Sequence, residues 1–141
     1  MRKFFRREPE LPTPTLEHPQ LGRIRYEGDW WTGHKVVADY TIEFNVDGTE
    51  DGPDPQLVKD LELVLANFSS LWQEGKRLIK QELHKYGLKE LDAFAPNTIC
   101  NFFRKGNASY FMMCLSLEGD EYRAWRLEFF DNKAKYFGCD T

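Results

Sequence analysis

The stretch Glu27–Lys35 (EGDWWTGHK) gathers most of the residue types in this 141-residue chain that could do chemistry. His34, five residues from Asp29, could form an acid–base pair, because a carboxylate contact orients an imidazole and favours its charged form. Such a pair needs a nucleophile, a metal partner or an anion cradle, and none stands beside it. The chain has no GxxxxGK[ST] loop, no GxGxxG, and no HExxH, GxSxG or CxxCH. Those absences remove the usual signatures of nucleotide, metalloprotease, serine-hydrolase and haem chemistry. His18 falls in a proline-rich stretch. His84 lies near the end of a helical pattern, where positive charge is favoured.

Carboxylates form two clusters. Asp47, Glu50, Asp51 and Asp54 lie in DGTEDGPD; Glu118, Asp120 and Glu121 lie in LEGDE. Neither follows the spacing of a calcium loop, and no feature selects two acids as a glycosidase pair. Asp and Gly populate turns, so solvated turns are expected, able to serve as an acidic docking surface. Cys100, Cys114 and Cys139 are an odd number without CxxC spacing, which argues against a disulfide framework or a zinc site and for free thiols in a reducing compartment. No cofactor and no metal centre is expected. The tryptophans say more. Trp30 and Trp31 are adjacent, so on an extended backbone they point to opposite faces. One can enter the core, leaving the other as an interface anchor.

The chain carries 19 basic and 23 acidic side chains, net −4. Arg2, Lys3, Arg6 and Arg7 sit in the first ten residues, leaving residues 11–141 at −6. An acidic body disfavours a nucleic-acid groove, whose cations must displace phosphate counterions, and suits a cationic protein partner. No apolar run has the length of a signal sequence or a membrane span, so a soluble cytoplasmic protein is expected.

Residues 1–20 read as a basic, proline-rich arm, with Pro9, Pro12, Pro14 and Pro19 favouring extended backbone. Phe4 and Phe5 among cations could form a short hook for a membrane surface or partner. Residues 21–141 read as a single domain. LGRIRY predicts a strand, and VVADYTIEFNV a second, with Val36, Ala38, Tyr40, Ile42, Phe44 and Val46 on one side. Asp54 and Pro55 should open a helix. Its apolar stripe runs from Leu57 to Tyr86, with a bend or break expected around Ser69–Gly75 and a stop at Gly87. Four strands with short Gly-, Asn- and Asp-rich turns follow, with Trp125, Leu127 and Phe129 facing the helices. The expectation is α+β: a single antiparallel sheet of about six strands with a long or broken helical segment on one face.

HPQLGRIRY, DWWTG and YRAWRLEFFDNKAKYFGCD, carrying Gly22, Trp30, Trp31, Gly33, Trp125 and Gly138, flank the long amphipathic centre. Together they resemble uncharacterised small bacterial α+β domains found near polymorphic toxin loci. The resemblance implies an immunity-type protein that binds and blocks a toxin. The leading expectation is therefore a non-enzymatic binding protein. Asp47, Glu50, Asp51, Asp54, Glu118, Asp120 and Glu121 would steer a basic toxin domain, and Trp30 or Trp31 with His34 would make the desolvated contact. The alternative is a small hydrolase or ligand-binding enzyme using His34 and a nearby carboxylate in a pocket between sheet and helices. A third reading is a structural subunit docked by its N-terminal hook.

Overall fold

The computed structural model describes residues 13–140; the basic segment with Phe4 and Phe5 lies outside them. The strands are β1 (Thr15–His18), β2 (Gly22–Tyr26), β3 (Trp30–Val37), β4 (Tyr40–Thr49), β5 (Gly52–Pro53), β6 (Phe94–Lys105), β7 (Ala108–Leu117), β8 (Asp120–Phe130) and β9 (Lys133–Asp140). Helices α1 (Pro55–Ala66) and α2 (Phe68–Glu82) separate β5 from β6. All nine strands belong to one sheet, ordered β1-β2-β3-β4-β6-β7-β8-β9, with β5 paired to β4.

The expectation of about six strands in a wholly antiparallel sheet is thus corrected, for four physical reasons. Thr15–His18, within the proline arm, pairs antiparallel with β2. The turn between them is held by His18, whose Nδ1 accepts from the backbone N–H groups of Gln20 and Leu21. VVADYTIEFNV is a hairpin rather than one strand: Ala38 and Asp39 take φ of 49° and 68°, the positive pair that a two-residue turn needs. Val36, expected inward, is therefore 71% exposed. Gly52–Pro53 folds back on the end of β4. Finally, the helices carry the chain over so that β6 runs parallel to β4, paired at Glu43–Thr98 and Phe44–Ile99.

Helix α1 begins as its sequence requires. Asp54 accepts from the N–H groups of Gln56 and Leu57 at 2.9 and 3.2 Å, and Pro55 occupies the first position. The helical segment does break, but at Asn67 (φ −109°, ψ 20°), whose Nδ2 donates to Leu63 O at 2.8 Å. Gly75, read as a helix weakener, is a contact residue instead. A Cβ there would meet Leu127 Cδ1 at 2.5 Å, so its absence lets α2 lie close on β8. After α2 a 3-10 turn, Leu83–Tyr86, ends at Gly87 (φ 70°).

The core fills the space between the helices and one sheet face. Ile42, Phe44, Ile99, Leu127 and Phe129 are wholly buried there. Phe111 stacks on Phe129 at 4.6 Å between centroids, and Trp125 on Phe137 at 5.4 Å. Asp60 of α1 is the one buried charged residue among those described.

Candidate functional site

With helices on one side only, every strand presents alternate residues to an uncovered face. On β3, Trp31 and Gly33 point to the helices; Trp30, Thr32 and His34 point away. Trp31 is 1% exposed, and its Nε1 donates to Thr49 O at 2.8 Å. It belongs to the core. Trp30 is 42% exposed, so of the two indoles it is the one open to a partner.

Other aromatic side chains share this helix-free face. Phe103 stacks on Tyr110 at 4.3 Å, and Tyr110 is opposite Phe130 in the register. Phe103, Phe130 and Tyr136 are all exposed. Strand direction places most of them together: Trp30 opens β3, Tyr110 lies near the start of β7, Phe103 near the end of β6, and Phe130 ends β8. β4 and β6 are parallel and every other neighbouring pair is antiparallel, so these positions fall at one end of the sheet. Sequence alternation already placed Phe130 opposite the core; Phe103 was hidden by the bulge between Cys100 and Phe103, which shifts the alternation.

Part of the first acidic cluster lies at this same end. Asp47 is opposite Trp30, and the chain around it is gathered by Gly48 N–H donating to Asp29 O and Asp54 N–H donating to Asp47 O. Asp29, Asp47, Glu50 and Asp51 are exposed, whereas the Asp54 carboxylate is occupied in capping α1. The acidity is local to the Trp30 side, since Lys105 and Lys133 flank the neighbouring turns.

The second cluster is elsewhere. Glu118–Glu121 joins β7 to β8 at the opposite end of the sheet, a ten-residue strand away, or roughly 30 Å at ~3.3 Å per residue. Within it the Asp120 carboxylate is committed to holding the turn. It accepts from the N–H groups of Tyr122 and Arg123, from Arg123 Nε at 2.6 Å and from Trp125 Nε1 at 3.2 Å. The two clusters do not form one docking surface.

His34 stands four residues along β3 from Trp30, with Nε2 4.0 Å from Glu43 Oε1 across the strand pair, and both side chains are at least half exposed. It lies on the helix-free face, not in a pocket between sheet and helices.

A cleft of about 570 Å³ opens between the helices and the β6–β7 and β8–β9 turns, with Asp60, Ser70, Glu74, Arg104 and Lys133 among its walls. Its principal charges are paired. Arg104 donates to both Asp60 oxygens, at 3.0 and 2.7 Å. Glu74 accepts from Arg77 Nε at 2.7 Å and from the Ala134 N–H at 2.7 Å. The Arg77 hydrogen bond outweighs partial burial and holds the Glu74 carboxyl below its usual range. Sequence reading missed Asp60, whose one signal was a carboxylate beside the apolar stripe of α1.

Among the described residues no group of three or more His, Cys, Asp or Glu is placed to hold a metal, and no helix is long and apolar enough to cross a membrane. No protein family, curated protein or solved structure matches the chain.

Proposed function

We propose that the chain is a non-enzymatic binding protein that neutralises a basic toxin domain in the cytoplasm by covering it with the aromatic end of its helix-free face. The observation that carries this reading is the gathering of Trp30, Phe103, Tyr110 and Phe130 at one end of an uncovered sheet, beside the carboxylates of Asp29, Asp47, Glu50 and Asp51. Exposed aromatics gathered on one face mark interaction surfaces, and an indole with charged neighbours is a common anchor of an interface. The carboxylates on the Trp30 side steer a cationic partner, which raises the association rate; the aromatic contact slows dissociation.

The test is protection. Each neighbouring gene product that arrests growth is co-expressed with the wild-type chain and with Trp30→Ala. Wild type restores growth, and the purified pair associates more slowly as salt rises. Trp30→Ala weakens the complex by about 2 kcal/mol, as loss of an aromatic anchor does. Failure of the wild type to protect against any of them, or an association rate indifferent to salt, overturns the proposal.

A further inference from the structure

Away from the aromatic end, two thiols meet on the helix-free face, and a methionine shares that face at the neighbouring register position. Cys100 on β6 and Cys114 on β7 bring their Sγ atoms to 3.9 Å. Met112 is opposite Cys100 in the register and two residues before Cys114, so all three project from the same side. Its Sδ lies 3.8 Å from Asn101 Nδ2, next to Cys100 in the chain. Asn101 takes φ of 56° in the bulge of β6, the kind of irregularity that re-aims side chains. Both cysteines are free; Cys114 and Met112 are half-buried and Cys100 is nearly covered. Cys139, opposite Trp125 on β9, points to the helix side and takes no part.

Charges of both signs flank the pair, Glu128 among them opposite Met112. Arg126 is opposite Cys114 on β8, and Glu43 lies one strand away, opposite Thr98 on β6. Arg126 itself stacks over the Tyr136 ring at 5.0 Å. Its Nη1 is 2.6 Å from Asp140 Oδ1, a charge contact without hydrogen-bond alignment.

We propose that Cys100, Cys114 and Met112 form a three-coordinate site for a soft monovalent metal ion, copper(I) in class. Two metal–thiolate bonds of ~2.3 Å closing on the 3.9 Å gap meet at about 116°, close to a trigonal angle. Thiolate with thioether is the donor set that selects copper(I). Structural zinc takes four ligands, and no further His, Cys, Asp or Glu completes such a set among the described residues. The bound ion and two thiolates carry one net negative charge, placed beside Arg126 opposite Cys114 and Glu128 opposite Met112. Binding displaces the remaining thiol protons to solvent. The site rests on different residues from the toxin-binding surface and stands or falls apart from it.

The experiment titrates the full chain with copper(I) under argon against a chromophoric copper(I) chelator, then alkylates the protein and maps the modified cysteines by mass spectrometry. One ion per chain is expected, shielding Cys100 and Cys114 but not Cys139. Cys100→Ser and Cys114→Ser each lose the ion, Met112→Leu retains it more weakly, and Cys139→Ser binds as wild type. Circular-dichroism melting confirms that each variant is folded, and the shielding pattern in the wild type tests the site without any substitution. No one-to-one complex in the wild type, shielding centred on Cys139, or undiminished binding by Cys100→Ser overturns the proposal.

Discussion

Asp60 and Arg104 show how one ion pair fixes the approach of α1 to the sheet. Asp60 is 4% exposed and receives two hydrogen bonds from Arg104, with a third from Gln56. Removing the cation leaves a buried carboxylate without its partner, which costs more than the intact pair contributes. Arg104→Ala is therefore expected to destabilise the fold and lower its urea midpoint; urea denaturation measures it. Asp120 makes an acid-side prediction. Burial alone would raise its carboxyl, but hydrogen bonds from Arg123, Trp125 and two backbone N–H groups outweigh it and hold the group below the carboxylate range. A folded-state value below the unfolded one stabilises at pH above the unfolded value, and that stabilisation is lost as pH falls through the folded one. The difference in stability between wild type and Asp120→Asn should therefore be constant near neutrality and shrink below about pH 4. A difference that stays constant down to pH 2 would contradict the assignment.

Among the elements, α2 makes the clearest test. Ordinarily Gly→Ala in a helix interior gains about 1 kcal/mol. Here the new Cβ would lie 2.5 Å from Leu127 Cδ1, so overpacking of about 1–3 kcal/mol outweighs the gain. Gly75→Ala should lower the thermal midpoint, and a rise would show that α2 does not pack as closely as described. The same residue shows what the sequence could and could not say. Period-two alternation placed Trp125, Leu127 and Phe129 against the helices, and Asp54–Pro55 and Gly87 marked where the helical segment begins and ends; these are local signals. Ala38–Asp39 lacks the Asn-Gly signature of a tight turn, so a hairpin read as one strand. Gly75 reads as a helix weakener until the Leu127 side chain beneath it is known. The opposite faces of Trp30 and Trp31 were legible, but the pairing of β3 with β4 that puts Trp31 inside, where it donates to Thr49 O 18 residues away, was not. The neighbours of Trp30 on the aromatic end come from strands brought beside it by a parallel crossover that no local pattern announces.

For the molecule as a whole, that crossover decides more than the address of one indole. β1–β4 and β6–β9 are each built from short-range hairpins, whereas their junction is paired at Glu43–Thr98 and Phe44–Ile99 alone. Closing it spans more than fifty residues of chain, including both helices, and loop-closure entropy opposes contacts of that separation until the rest is in place. The two ribbons should thus be largely formed at the folding barrier and the seam between them still open. Ile99→Val, at a fully buried seam position, should cost about 0.5–1.5 kcal/mol and express that loss as faster unfolding, with refolding nearly unchanged. Stopped-flow chevrons separate the two arms; an equal slowing of refolding would mean the seam is the nucleus. A late-closing seam also makes the molecule vulnerable at its middle: while it gapes, two sheet edges that the native state conceals are open to strands of other chains.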